Sequence, residues 1–434
     1  MNYIAHNNLN SSTHSTEIIA GFFKWSLVIL LLLLPGGPIL VTLLAVAIGS
    51  IGKVKKVDLF FLFFLTGFIN GSLANFEGYS MLRYLILLPL LINARSKILA
   101  GKVLTTPVLV FFFYLVGHSL LISPNPMFSF LNVVSAFLTI AVGFAAIYCD
   151  RKEGFWLEFQ TICMVIALWS LISIPFTEFS YARNGVGLQG IGTHPNLFGI
   201  FLAPLCFYAF TQLLSRPRFF DILLFIVFFM ILILSQSRTS IFAVILSLLF
   251  YAVFADKMIT KYAKRGIILF LPMVAILIAF AGPISNTVID ILTKGGGETI
   301  TVTDSIERSR GALFFAQIEN IEAQPFLGIG FKIMSSGESN SFFEAASADN
   351  TYEKGVFLLA LTEELGIIGA LLFAVVLYSM LAHIFNRKVQ SAVFFIPICF
   401  LFTTFGEATL FSIGGNGSLI WASIALSNYK YKVG

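Results

Sequence analysis

Apolar segments of about 15 to 25 residues recur along almost the whole chain, each long enough to cross a bilayer's hydrocarbon core as a helix. Clusters of basic residues separate them: Lys53, Lys55 and Lys56; Arg95, Lys97 and Lys102; Arg151 and Lys152; Arg216 and Arg218; Lys257, Lys261, Lys264 and Arg265; Arg387 and Lys388; Lys430 and Lys432. Between successive clusters there is room for two helices, for example Val57 to Leu73 with Met81 to Ile92, or Phe219 to Leu234 with Ile241 to Phe254. All seven clusters can therefore lie on one side of the membrane, which the positive-inside rule makes the cytoplasm. The count is about fourteen helices with both termini inside; twelve spans plus re-entrant pieces also fit the pattern.

Composition agrees with this topology. With 58% hydrophobic residues, 48 Phe and only 11% charged residues, the chain has too little polar surface to cover a core of that size in water. The net charge of +5 marks orientation and not nucleic-acid binding. Cys149, Cys163, Cys206 and Cys399 are scattered in apolar runs and read as core residues. Met1 to Glu17 holds no Lys or Arg, so it lacks a signal peptide's basic region and reads as a disordered tail. The first helix pair is interrupted by Pro35-Gly36-Gly37-Pro38 and the last by Gly414-Gly415-Asn416-Gly417. The domain plan is a cytoplasmic tail over 1–19, a helix bundle over 20–283, a large outer loop over 284–354, further spans over 355–427 and a cytoplasmic tail over 428–434. Within the loop, Ile306, Leu313, Phe314, Ile318 and Ile321 recur at helical spacing before Pro325, which predicts an amphipathic surface helix over Asp304 to Gln324.

Nine basic residues fall outside the clusters: Lys24, Arg83, Arg183, Arg238, Lys294, Arg308, Arg310, Lys332 and Lys354. Most belong to the outer side, where topology does not favour them. Arg183, Arg238 and Arg310 suit anion binding, because a guanidinium presents a fixed fork of donors to phosphate oxygens at any working pH. Each taken alone also fits a snorkelling helix-end Arg. Arg310 sits four residues after Ile306 and four before Phe314, on the apolar face of the surface helix, whereas Arg308 falls off that stripe. General-base candidates on the outer side are Asp304, Glu344, Asp349, Glu353, Glu363 and Glu364. Asp349, Tyr352 and Glu353 share one face if the end of the loop is helical, though Asp349 also suits a helix N-cap. Glu407 is a possible partner for an Arg, and His194, beside Asn196, fits a hydrogen-bonded structural role as well as a chemical one. No Walker-type phosphate loop is present, Gly328-Ile329-Gly330 is too short for a dinucleotide fingerprint, and no metal-ligand spacing occurs, so no cofactor and no metal is expected.

The pattern resembles the superfamily of O-antigen ligases and O-antigen polymerases. Four stretches over about residues 180 to 370 carry the likeness, in order. They are Arg183-Asn184-Gly185 with His194-Pro195-Asn196-Leu197-Phe198-Gly199; Ser235-Gln236-Ser237-Arg238-Thr239; Arg310 ahead of Pro325-Phe326-Leu327-Gly328-Ile329-Gly330; and Asp349-Asn350-Thr351-Tyr352 leading to Glu364-Leu365-Gly366-Ile367-Ile368-Gly369. The resemblance implies an all-α, GT-C-like polytopic protein of the bacterial inner membrane, with about 12 to 14 spans and one large periplasmic loop. It also implies metal-independent, inverting glycosyl transfer from a polyprenyl-diphosphate-linked oligosaccharide.

The acceptor would be a second lipid-linked repeat unit in a polymerase, building O-antigen, capsule or exopolysaccharide, or the lipid A core in a ligase. Ligases of this family have His before the Asn of the last loop motif; Asp349 stands there, which favours a polymerase. Arg183, Arg238 and Arg310 would hold the diphosphate, and Asp349 would take the acceptor's proton, with Glu353 and Glu364 behind it. A chain-length regulator protein is a further expected partner. A flippase for the same lipids is the rival reading, although it would be expected to carry charges in two similar halves.

Overall fold

The computed structural model describes residues 11–51, 55–69, 82–97, 105–148, 153–181, 187–215, 219–254, 312–333, 356–385, 392–413 and 416–433. Most of these residues are helical, and the β pairing among them is one isolated bridge between Ile69 and Gly192. In chain order the helices are α1 (Ser11–Leu33), α2 (Gly37–Ser50), α3 (Lys56–Phe68), α4 (Leu87–Lys97), α5 (Thr106–Leu121), α6 (Pro126–Tyr148) and α7 (Glu153–Ser173). They continue with α8 (Pro195–Ser215), α9 (Phe219–Leu234), α10 (Arg238–Phe254), α11 (Ala312–Ala323), α12 (Phe357–Leu381), α13 (Ile396–Thr403) and α14 (Asn416–Val433). Among the described residues, five helical stretches are long and apolar enough to cross a membrane, and six shorter apolar ones accompany them. The chain is a multi-pass membrane protein.

The sequence breaks fold as tight punctuation. Gly36 adopts φ 73°, which glycine reaches without a Cβ penalty, and Pro38 opens α2, so Pro35-Gly36-Gly37-Pro38 turns α1 directly into α2. The helix α1 begins at Ser11, inside the stretch read from sequence as a disordered tail. At the other end of the chain, α14 begins after Gly414-Gly415, and among its described residues Leu419, Ile420, Trp421, Ala422, Ile424 and Ala425 are all buried. It packs on α6 at backbone contact, since a Cβ on Gly143 would lie 2.7 Å from the Ser418 carbonyl oxygen and from the Ala422 nitrogen. Small residues at a helix crossing gain dispersion contacts in lipid, where burial of apolar surface gives no driving force. Cys163, Cys206 and Cys399 are buried free thiols in the same core.

Lys24 is one of the nine unclustered basic residues, and its charge is answered inside the bundle. Its Nζ lies 2.9 Å from Asp58 Oδ1 of α3 and 2.8 Å from Glu158 Oε1 of α7, and the indole of Trp25 donates to the other oxygen of Glu158. The cluster ties α1, which is otherwise widely exposed, to the bundle. Lys24→Met leaves two carboxylates facing each other and is expected to cost about 2 kcal/mol, less than a fully buried pair because the Lys24 side chain is 36% exposed. A lower melting temperature in detergent, largely restored in Lys24→Arg, is the readout.

Candidate functional site

The start of α8 meets the turn between α9 and α10. His194 is the N-cap of α8: its Nδ1 accepts the Asn196 backbone N–H at 3.1 Å, and Pro195 occupies the first helical position. Leu234 ends α9, and the chain turns through Gln236, which holds φ 53°, a left-handed conformation uncommon outside glycine. Ser237 and Ser240 share a hydrogen bond at 2.7 Å, which closes the first turn of α10 and puts Arg238 at that helix's amino terminus, half-buried. Gly199 explains the contact between the two stretches, because a Cβ there would lie 2.4 Å from Ser237 Cβ. Thus His194-Pro195-Asn196-Leu197-Phe198-Gly199 and Ser235-Gln236-Ser237-Arg238-Thr239 touch, as two of the four stretches of the resemblance.

The loop between α13 and α14 completes this corner. Asn196 Nδ2 donates to Glu407 Oε1 at 2.7 Å, and Asn416 Nδ2 donates to the Leu197 carbonyl at 3.3 Å. Gly406 presses on Thr239, where a Cβ would approach Thr239 Oγ1 to 2.1 Å. Glu407 therefore stands one residue from a direct contact with the neighbour of Arg238. Its link to Asn196 spans 211 residues, a pairing that spacing alone does not disclose.

The other two stretches meet through their backbones. At Gly366 (φ 65°, ψ −177°) α12 breaks, which frees the carbonyls and amides that a continuous helix would pair. The Pro325–Gly330 loop takes them up. Ile329 N–H donates to the Glu363 carbonyl at 2.9 Å and Gly330 N–H to the Glu364 carbonyl at 3.0 Å. In return Ile367 N–H donates to the Pro325 carbonyl at 2.9 Å and Ile368 N–H to the Phe326 carbonyl at 3.4 Å. Gly328 (φ 70°) and Gly366 allow the approach, since a Cβ on either would fall inside 2.6 Å of the facing backbone. The adjoining carboxylates are buried: Glu363 Oε1 accepts Asn320 Nδ2 at 2.7 Å, and Glu364 Oε2 accepts the Lys332 N–H at 3.0 Å.

The stretch before Pro325 is helical over α11, and Asp304, Ile306, Arg308 and Arg310 lie outside the described residues. Its faces are the reverse of a water-soluble amphipathic helix. Gln317 is buried and Asn320 grips Glu363, whereas Phe314 and Phe315 are exposed. Both corners belong to one end of the bundle, joined where Phe357 N–H donates to the Thr404 carbonyl at 3.2 Å and Phe331 meets Phe411 edge to face.

Of the residues singled out from sequence, the described ones are Lys24, Arg83, His194, Asn196, Arg238, Lys332, Glu363, Glu364 and Glu407. Arg183, Glu344, Asp349, Tyr352 and Glu353 lie outside the described residues, as do Lys294 and Lys354. Sequence reasoning did not find Tyr114, His118, Ser123, Ser129 or Asn320, which contact the paired loops or the residues beside them. A His and several Ser inside otherwise apolar helices were the available signal. Among the described residues no group of three or more His, Cys, Asp or Glu could hold a metal ion.

Residues 223–374 match the family model described as O-antigen ligase. Over that segment, about a third of the chain, the protein is similar to the O-antigen ligase family, which supports the resemblance to O-antigen ligases and polymerases. The match supports a function of the O-antigen ligase or polymerase type. The matched segment holds Arg238, the Pro325–Gly330 loop and the Gly366 break, while His194, Asn196 and Glu407 reach the site from outside it. No curated protein matches the chain.

Proposed function

We propose that the chain polymerises polyprenyl-diphosphate-linked oligosaccharide repeat units into a surface polysaccharide at the periplasmic face, by metal-independent inverting transfer. The observation that carries this reading is that described parts of all four stretches occur at one end of the bundle, with Arg238 at the amino terminus of α10. In the proposed step an acceptor hydroxyl attacks C1 of the donor sugar from the face opposite the diphosphate. The C1–O bond breaks with its electron pair on the diphosphate, and the hydroxyl proton passes to Asp349, with Glu353 and Glu364 as secondary candidates. Negative charge grows on the departing diphosphate, so guanidinium donors aimed there bind the transition state more tightly than the ground state. Arg183, Arg238 and Arg310 take that role. Arg310 stands seven residues before Gln317 in the sequence.

The full topology belongs to the same proposal: about 12 to 14 spans in a GT-C-like arrangement, both termini cytoplasmic. The family description favours one second reading, a ligase that passes the glycan to lipid A core. Asp349, where ligases of the resembling family have His, supports the polymerase.

The test is to incubate purified protein with a synthetic polyprenyl-diphosphate oligosaccharide, with and without a lipid A core acceptor, in EDTA, and to follow products by mass spectrometry. A ladder of repeats on one lipid diphosphate is expected. Sugar appearing only on the core would make the protein a ligase, and no product from any of a panel of donors would sink the transfer reading. Asp349→Asn is expected to slow the ladder by about 100-fold or more, the usual loss when a general base is removed. Unchanged turnover would place the base elsewhere.

A further inference from the structure

The paired loops carry carbonyls that their mutual exchange leaves over, and the amino-terminal half of the chain takes them. Tyr114 and His118 lie one turn apart on α5 and so share a helix face. The Tyr114 hydroxyl donates to the Leu365 carbonyl at 2.8 Å, and His118 Nε2–H donates to the Leu327 carbonyl. On α6, Ser129 Oγ donates to the Phe331 carbonyl at 2.8 Å and is itself held by Ser123 at 2.7 Å. The two α5 contacts have a shared geometry. Leu365 precedes Gly366 and Leu327 precedes Gly328, the two left-handed glycines at which the loops cross. A peptide carbonyl and the following N–H lie in one plane, so each side chain fixes the orientation of the peptide that enters a left-handed glycine. Such peptides otherwise turn over easily, because glycine accepts both signs of φ.

His118 also bears a cost that packing alone would avoid. With Nε2–H given to Leu327, the neutral ring has Nδ1 as an acceptor; the residue is 4% exposed, and Nδ1 has no hydrogen-bond partner among the described residues. An apolar side chain of similar volume would fill the space without an unsatisfied nitrogen.

We infer that Tyr114 and His118 are positioning residues of the transfer site. They set the two glycine peptides, and through them Glu363, Glu364 and the chain at Lys332, from which the outer loop runs on toward Asp349. What they position rests on the function proposed above; that they pin the loops does not.

The experiment compares wild type, Tyr114→Phe, His118→Ala and His118→Gln by hydrogen exchange over residues 326–333 and by donor turnover. In His118→Ala, exchange at Ile329 and Gly330 is expected to rise, and kcat to fall, by about ten-fold, the equivalent of one net hydrogen bond. KM for the lipid donor should stay near wild type, and exchange in α14 should not change. His118→Gln, whose side-chain N–H can reach the same carbonyl, should recover most of both losses. Tyr114→Phe removes one oxygen only, so it carries the test even if His118→Ala fails to accumulate. Exchange and kcat at wild-type levels in Tyr114→Phe and in whichever His118 variants accumulate would overturn the inference, as would loosened loops with full kcat. A wild type with protected amides that transfers no sugar would instead sink the functional reading and leave the pinning intact.

Discussion

Gly366→Ala is expected to destabilise the protein by about 3 to 5 kcal/mol, the sum of positive-φ strain and one or two lost buried backbone hydrogen bonds. The residue holds φ 65° and ψ −177°, and a Cβ there would lie 2.1 Å from the Phe326 carbonyl oxygen and 2.2 Å from its carbon. The clash is with backbone, so no rotamer change relieves it. To accept the methyl, the Pro325–Gly330 loop must withdraw, which leaves the Glu363 and Glu364 carbonyls and the Ile367 and Ile368 amides without their partners. The measurement is the melting temperature in detergent together with exchange over 325–333 and 363–369. Gly117→Ala is the control: Gly117 lies within α5 with nothing within 4 Å of its would-be Cβ, and there alanine is expected to gain about 0.5 to 1 kcal/mol. Equal melting temperatures for the two variants would mean that the break in α12 is not fixed by Gly366.

Helices set by length and charge were legible in the sequence. Phe219–Leu234 and the segment after it were bounded by basic clusters on one side and by Ser235-Gln236-Ser237-Arg238-Thr239 on the other, and they fold that way. Less visible was anything decided by a distant partner. Lys24 read as a misplaced cation because its two carboxylates stand 34 and 134 residues away. The motif glycines were visible, but the pairing of their loops was not, since it runs through backbone groups that every residue has. The last helix pair looked interrupted because of Gly414-Gly415-Asn416-Gly417, yet α14 starts at Asn416 within that run. A helix enclosed by other helices needs close approach more than it needs hydrophobicity, as Gly143 against Ser418 and Ala422 demonstrates. The helix before Pro325 was legible from its periodicity, but its contacts were not: Phe314 and Phe315 face outward while Gln317 is buried and Asn320 holds Glu363, and a stripe of apolar residues does not by itself say which side is the core.

Arg238→Lys is expected to lower kcat by about 100-fold or more, the loss typical of removing one preorganised donor from a developing charge. The reasoning starts from the turn that holds it. Gln236 at φ 53° and the Ser237–Ser240 hydrogen bond fix the first residue of α10, so Arg238 leaves the backbone in a set direction and adds its charge to the positive end of that helix. Lysine keeps the charge and the helix end but presents a single ammonium where the guanidinium offers two parallel donors. If the contact formed equally with bound donor and with departing diphosphate, the substitution would raise KM and leave kcat alone. The proposed role requires the opposite, because the second negative charge on the terminal phosphate appears only as the C1–O bond breaks. Arg95→Lys, at an exposed position on α4 in a basic cluster assigned to the other side, should change neither constant. Full kcat in Arg238→Lys would remove Arg238 from the diphosphate site and leave Arg183 and Arg310 to account for the leaving group.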